Sequence, residues 1–287
     1  MKKVIAITGA KGQLGRQFAE DLHDLGYRVC ALSREDMDIT DFSKVDLILR
    51  KINPNTIIHC AAYTKVDLAE AERDKAFLVN ALGTRNVAVV AEKMAAKLVY
   101  ISTDYVFDGK KDTGYDEFDT PNPINVYGAS KYAGENFVKN FHSRHFIVRT
   151  SWLYGKYGNN FVETMLKLAK NQLGIKVVND QTGSPTHVKD LVQCVKELME
   201  TELYGTYHGS NAGACTWYEF AKGIFSLCDI KVNTTPISTK GFSTGALRPA
   251  YSVLDSYALR LNGFHVMKPW REGLKEYLKE KERFRGK

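Results

Sequence analysis

The sequence predicts an α/β fold, a doubly wound parallel sheet with a smaller C-terminal lobe, on three observations. Through the first 150 residues, short β-branched apolar runs alternate with amphipathic helical patterns. A glycine-rich turn, "TGAKGQLG", falls between the first such run and the first helical pattern. After Tyr154 the alternation breaks down. Strands alternating with helices give a parallel sheet covered on both faces.

The elements follow in order. "KKVIAITG" reads as a buried strand. Leu14, Phe18, Leu22 and Leu25 then recur at helical spacing, with Gly26 where a C-cap belongs. "YRVCAL" is the second strand, and "DFSKVDLILRKI" the next helix, with Asp41 as its N-cap. "TIIHCAA" is a third strand, "AFLVNALGTRNVAVVAEKMAA" one long helix, "KLVYIST" a fourth strand and "RHFIVRTSWLYG" a fifth. Beyond it, "KYGNNFVETMLKLAKNQL" is amphipathic, "DQTGSPTH" is a turn cluster, "KDLVQCVKELME" is a helix, and "GTYHGSN" can return a strand to the sheet. The expected division is residues 1–155 for a dinucleotide-binding domain, with about 186–210 returning to it, and 156–287 for a substrate-binding lobe.

The composition of the 287 residues, 44% hydrophobic and 25% charged, is that of an ordinary globular chain. No apolar run approaches a membrane span, and "MKKVIAITGA" reads as a strand rather than a signal peptide. The five cysteines show no C-x-x-C spacing and fit a reducing, cytoplasmic setting. The net charge of +7 permits an anionic partner. The basic tail "KEYLKEKERFRGK" alternates Glu and Lys as a solvated terminal helix does. The expectation is therefore no nucleic acid and no membrane, and a phosphate-bearing small molecule instead.

Gly9, Gly12 and Gly15 sit where glycine permits a tight turn and lets backbone N–H groups meet a pyrophosphate at a helix N-terminus. In that position the pattern marks a Rossmann-type cofactor site. A ribose 2′-OH is met by an acid at the end of the second strand, and a 2′-phosphate by a basic residue. Here Ser33 and Arg34 end that strand, followed by Glu35 and Asp36. The reading is NADPH, with NADH as the alternative.

The chain holds three Tyr-x-x-x-Lys pairs: Tyr127/Lys131, Tyr218/Lys222 and Tyr277/Lys281. Tyr127 and Lys131 share one helix face, downstream of Thr103 at the end of the fourth strand. The other two pairs have no upstream strand-end hydroxyl. Reducing a ketone needs a hydride on carbon and a proton on oxygen. A phenol of pKa ~10 serves poorly at neutral pH unless a cation stabilises its phenolate. Lys131 is expected to supply that charge and to bind the nicotinamide ribose. Thr103 is expected to hydrogen-bond the carbonyl oxygen.

The motifs "GAKGQLG", "HCAAYTKVDLAE", "STDYVFDG", "PINVYGASKYAGE", "RTSWLYG" and "DQTGSPT" resemble the extended short-chain dehydrogenase/reductases, and within them the dTDP-4-dehydrorhamnose reductase family. The resemblance implies that Gly12, Gln13 and Leu14 line the cofactor loop, that Asp38 and Ile39 hold the adenine end, and that Ala61, Ala62 and Tyr63 follow the ribose. On the substrate side it implies Thr64, Val66, Thr103, Asp104 and Trp152, with Asn160, Gln181 and Arg248 beside them. The alternatives are a core Trp152, a helix-capping Asn160 and an Arg248 in a surface ion pair. The implied reaction reduces the 4-keto group of dTDP-4-dehydro-β-L-rhamnose to give dTDP-β-L-rhamnose, for a surface polysaccharide.

Two rivals differ from this reading. A nucleotide-sugar dehydratase or epimerase shares the fold, but dehydratases carry Asp-Glu after the strand-end Thr, where this chain has Asp104-Tyr105. A non-catalytic nucleotide-binding subunit could lose the triad or the glycine loop, and both are intact. Some relatives form Mg²⁺-bridged dimers through a glutamate just past the nucleotide loop. Gln17 stands there, beside Arg16, and an amide is a poorer Mg²⁺ ligand than a carboxylate. No metal site and a monomer are expected.

Overall fold

A computed structural model describes residues 2–171, 173–241 and 245–285. Gln172, at the end of the amphipathic stretch, and the last two residues of the basic tail lie outside the described residues. Six strands form the central sheet: Val4–Thr8, Arg28–Leu32, Thr56–His59, Lys97–Thr103, His145–Thr150 and Gly205–His208. Numbered by their place in the chain, they lie in the order sixth, fifth, fourth, third, first, second. Every neighbouring pair is parallel.

Strand residues alternate between two cores, as period-two side chains must. Ile5, Ile7, Val99 and Phe146 face the helices Gln13–Asp24 and Val188–Met199, packing on Phe18, Leu22, Leu191 and Val195. Ala6, Ile57, Leu98 and Ile147 face the opposite side, where Val45, Leu49, Val87, Val90 and Val138 come from three other helices. The order reverses between the first and third strands, so their carboxyl ends open a crevice where ligands bind in such sheets. No helix among the described residues is long and apolar enough to cross a membrane.

The first helix ends where expected, with Gly26 at φ +85° after it, and Asp41 caps the second by accepting from the Lys44 N–H. Three expectations need correcting. The long helix is three pieces: Arg73–Phe77, a π-helical turn Leu78–Gly83, and Thr84–Lys93. Asn80 in that turn points inward. Its amide bonds the Tyr63 backbone in both directions (2.7 and 3.0 Å) and donates to Ser130 (2.9 Å). The third strand stops at His59, and Ala61 instead donates its N–H to the Thr8 hydroxyl. The fifth stops at Thr150, because Trp152 turns left-handed with φ +47°.

The segment "DQTGSPTH" holds two short strands as well as turns. Thr182–Gly183 pairs antiparallel with Cys215–Thr216, and Thr186–His187 pairs with Leu153–Tyr154. A further parallel pair, Gly174–Val178 with Asn233–Ile237, was not anticipated. Around these lies a separate apolar cluster that includes Val162, Met165, Ile175, Phe220, Trp270 and Leu274.

Candidate active site

A cleft of about 810 Å³ runs along the carboxyl ends of the strands, from the glycine loop to Trp152 and Trp217. Gly9 has φ +66°, and a Cβ there would come 2.7 Å from Ala61 Cα. A Cβ on Gly15 would fall 2.4 Å from the Gly9 carbonyl oxygen. The loop therefore folds this tightly only with glycine. Gly12 precedes the helix as its N-cap, no side chain caps it, and its first turn carries no acid. That leaves an N-terminus suited to an anion such as a pyrophosphate.

Directly after the second strand Ser33 holds both acids that follow it. Its hydroxyl bonds Glu35 (2.7 Å) and Asp36 (2.6 Å), and its N–H donates to Asp36 (2.9 Å). Lys11 pairs with Glu35 at 2.8 Å. The Lys11 and Ser33 contacts hold the Glu35 carboxyl down at about 2. Arg34 stays largely exposed, 3.3 Å from Asp38 through Nε, on the lining of the cleft. Lys11 and Arg34 thus put two basic side chains, each beside an acid, on the lining at this end of the cleft. The residues fit the phosphates of NADPH. Asp38 is fixed by Thr40, whose N–H and hydroxyl both donate to it (3.0 and 2.8 Å). Ile39, Ala61, Ala62, Tyr63, Gln13 and Leu14 line the same wall.

The reacting end is built by close approach of helix Val126–Phe141 to the segment after the fourth strand. A Cβ on Gly128 would sit 2.0 Å from the Tyr105 carbonyl oxygen, so only glycine lets the helix come this near. Asn125 caps it, accepting from the Gly128 N–H at 2.7 Å. Thr103, Tyr127 and Lys131 all line the cleft, with Asp104, Thr64 and Val66. The Thr103 hydroxyl donates to Asp104 (3.0 Å) and accepts from the Tyr105 N–H (3.2 Å). Lys131 is buried, donates to the Ile101 carbonyl (2.7 Å) and lies 4.1 Å over the Tyr100 ring.

Burial pushes the Tyr127 phenol up to about 12, with the Thr103 hydroxyl opposing and Asp104 adding to the rise. Burial likewise lowers Lys131 to about 7 against the pull of Glu135, and raises Asp104 to about 6 against its bonds from Ser252 and Thr103. The Lys131 amine is turned to the Ile101 carbonyl and the Tyr100 ring, while Thr103 and Asp104 are the polar groups that bear on the phenol. A phenol held high is protonated at neutral pH but a weaker acid, so giving up its proton still calls for a cation that stabilises the phenolate.

A family model described as RmlD substrate binding domain matches residues 1–283. The chain belongs to the dTDP-4-dehydrorhamnose reductase family. Within it, the chain is similar to the dTDP-4-dehydrorhamnose reductase from Bacillus anthracis str. Ames solved in complex with NADP. The two are 56% identical with a TM-score of 0.96, over 98% of this chain and 100% of that one. It is 43% identical to the dTDP-4-dehydrorhamnose reductase of Aggregatibacter actinomycetemcomitans, over 88% of this chain and 90% of that one. It is 42% identical to the spore coat polysaccharide biosynthesis protein SpsK of Bacillus subtilis (strain 168), over 98% of both.

Three residues that the resemblance to this family put on the substrate side do not line the cleft. Asn160 caps helix Phe161–Asn171 by accepting from the Glu163 N–H (3.1 Å), and it donates to Gly155 (3.0 Å) and Gln13 (3.3 Å). Gln181 donates to the Thr239 hydroxyl at 3.0 Å. Arg248 forms a two-pronged pair with Asp67 at 3.0 and 2.8 Å. Asn160 and Gln181 are buried and Arg248 half-buried, and each has polar partners of its own elsewhere in the chain, as buried polar groups must.

The cleft also holds residues the sequence did not single out for it, among them Tyr105, Ser151 and Trp217. Tyr105 and Ser151 adjoin residues that were singled out. Trp217 had no signal, because it arrives from a distant helix.

Among the described residues, one group of possible metal ligands comes together, His187, Asp190 and Glu276. The Lys268 ammonium lies 3.0 Å from Asp190 and 2.5 Å from Glu276 and takes up their charge. Near the nucleotide loop Gln17 donates to Asp21 (2.8 Å) and Glu20 (3.3 Å), and Glu20 pairs with Lys156 at 2.6 Å.

Proposed function

We propose that this chain reduces the 4-keto group of dTDP-4-dehydro-β-L-rhamnose to dTDP-β-L-rhamnose with NADPH. One observation carries the reading: Thr103, Tyr127 and Lys131 meet in a single cleft with the glycine loop, in a chain 56% identical to an enzyme solved with NADP. When bound, NADPH supplies the hydride to the carbonyl carbon. The Thr103 hydroxyl orients the carbonyl oxygen, and Tyr127, protonated before the reaction, gives that oxygen its proton. Lys131, anchored on Ile101, reaches the nicotinamide ribose. Within the proposed division, residues 156–287, apart from about 186–210, which return to the first domain, form the lobe that receives the sugar nucleotide, and the product feeds a rhamnose-containing surface polysaccharide.

Neither rival fits as well. Tyr105 occupies the position where a dehydratase needs its second acid, and its ring meets Tyr127 edge-on at 5.9 Å. A purely regulatory subunit has no use for a buried acid, hydroxyl and lysine converging in one cleft. The test is NADPH oxidation, followed by absorbance, with a panel of nucleotide-linked 4-ketohexoses. Activity with the dTDP-linked 4-ketorhamnose above all others is expected. No oxidation of NADPH with any of them removes the reading.

Cofactor choice gives a further expected result. kcat/KM is higher with NADPH than with NADH, and Arg34→Ala narrows the gap by roughly ten- to a hundred-fold, the worth of one charge-assisted hydrogen bond. Equal use of both cofactors by the unmodified protein would place Glu35 or Asp36 on the ribose instead.

Metal is not required in this reading. Glu20 is already paired with Lys156, and a neutral amide occupies the position of the relatives' glutamate. Full activity in excess EDTA and a monomeric light-scattering mass with or without millimolar Mg²⁺ are expected. A mass that doubles only with Mg²⁺, or a rate that collapses in EDTA, overturns this.

A further inference from the structure

Trp152 has a backbone that bulky side chains rarely adopt, with φ +47°. Such a residue persists only where its surroundings over-determine it, and here two contacts do so. Its indole stacks on Trp217 with ring centroids 3.4 Å apart and an interplanar angle of 6°. It also lies against Gly183, where a Cβ would come within 2.6 Å of the ring. Both contacts come from one small ribbon. Gly183 pairs with Cys215, and Thr182 with Thr216, one residue before Trp217.

Trp217 is itself firmly planted. It opens helix Trp217–Leu227, which Thr216 and Glu219 close with a reciprocal capping box. Thr216 donates to Asn179 at 2.7 Å, and the Phe161 ring lies 4.6 Å from the Trp217 ring.

The placement matters for the reaction. Trp152 comes two residues after Thr150, which is the register partner of Thr103. Both tryptophans line the cleft that holds Thr103 and Tyr127. We propose that Trp217 is a positioning residue. With Gly183 it fixes the orientation of the Trp152 indole, which the family resemblance already places on the substrate side, and so holds in place the aromatic wall that meets the sugar ring rather than the nucleotide. This rests on the proposed reduction of a nucleotide-linked ketosugar. A 6-deoxyhexose offers C–H groups and a methyl to an aromatic face, and sites of this kind are mostly apolar with a few placed polar groups. Thr103 and Tyr127 supply the polar part.

The test uses the full chain and three variants, Trp217→Ala, Trp217→Phe and Gly183→Ala. Calorimetric titrations use dTDP-L-rhamnose and dTDP as separate probes, NADPH affinity is read by its own fluorescence, and KM is measured for the ketosugar. Trp217→Ala and Gly183→Ala should each raise KM and the Kd for dTDP-L-rhamnose about tenfold or more, the usual worth of an apolar wall. Affinity for dTDP and for NADPH should hardly change, and Trp217→Phe should stay near the unmodified protein. The inference is overturned if Trp217→Ala leaves dTDP-L-rhamnose binding intact, or if Trp217→Phe is as impaired as Trp217→Ala. It is also overturned if dTDP or NADPH affinity falls in step with that of the sugar nucleotide. An unmodified protein that binds dTDP-L-rhamnose but oxidises no NADPH with the ketosugar removes the proposed reaction and leaves the wall standing.

Discussion

Tyr127→Phe should lower kcat by ~10²–10⁴, the usual contribution of a positioned general acid, and leave NADPH binding nearly unchanged. The phenol is half-buried and its pKa is held up at about 12, so it is protonated at neutral pH before the reaction. Its hydroxyl is spent mainly in the transition state, which places the loss in kcat. The two look-alike pairs are the controls. Tyr277 and Lys281 both bond Glu163, away from the cleft. Lys222 lies 5.6 Å over the Tyr218 ring, also away from the cleft. Phenylalanine at 218 or 277 should leave turnover intact. An inactive Tyr218→Phe beside an active Tyr127→Phe would show that the wrong pair had been chosen.

Glu135→Gln should destabilise the fold by ~3–5 kcal/mol, the cost of leaving a buried charge without its partner. Glu135 and Arg149 are both fully buried. They meet through two bonds, Nε to Oε1 at 2.9 Å and Nη2 to Oε2 at 2.7 Å. The Ser102 hydroxyl adds a third at 2.6 Å. The measurement is a urea unfolding midpoint with an unchanged slope. A midpoint within experimental scatter of the unmodified protein would mean that water reaches Arg149. Because Ser102 precedes Thr103 and Glu135 lies one turn beyond Lys131, the same pair also braces the reacting groups.

How much of this was legible follows from where each signal lies. The glycine loop, the strand ending at Thr103 and the Tyr127/Lys131 spacing are local patterns with fixed geometric meaning, and the structure brings them into one cleft. Asp41 and Gly26 were readable for the same reason. The π-helical turn was not, because a chain that reads as helix yields there to Asn80, whose partners Tyr63 and Ser130 lie on other elements. The ribbons pairing Thr182–Gly183 with Cys215–Thr216 and Leu153–Tyr154 with Thr186–His187 are two residues long, too short for any period to show. The anchoring of Lys131 depends on Ile101 and Tyr100, which no spacing links to it. Asn160 could be read either as a ligand or as a cap, and the cap is what its neighbour Glu163 makes of it.

The order of the strands has a consequence for how the chain is made. The fifth strand, His145–Thr150, is flanked by the fourth and the sixth, and the sixth is Gly205–His208. A ribosome that has just released the fifth strand has delivered the glycine loop, Thr103, Tyr127 and Lys131, yet the fifth strand still presents a row of unpaired backbone groups. Its side chains from Phe146 to Thr150 are all buried in the finished fold. An exposed apolar strand of that kind is a template for pairing with other chains. It stays so until the whole excursion through the lobe has been synthesised and Tyr207 has docked. A fragment cut near residue 155 would keep the reacting groups and still be prone to aggregate, and nascent chains pass through the same vulnerable state.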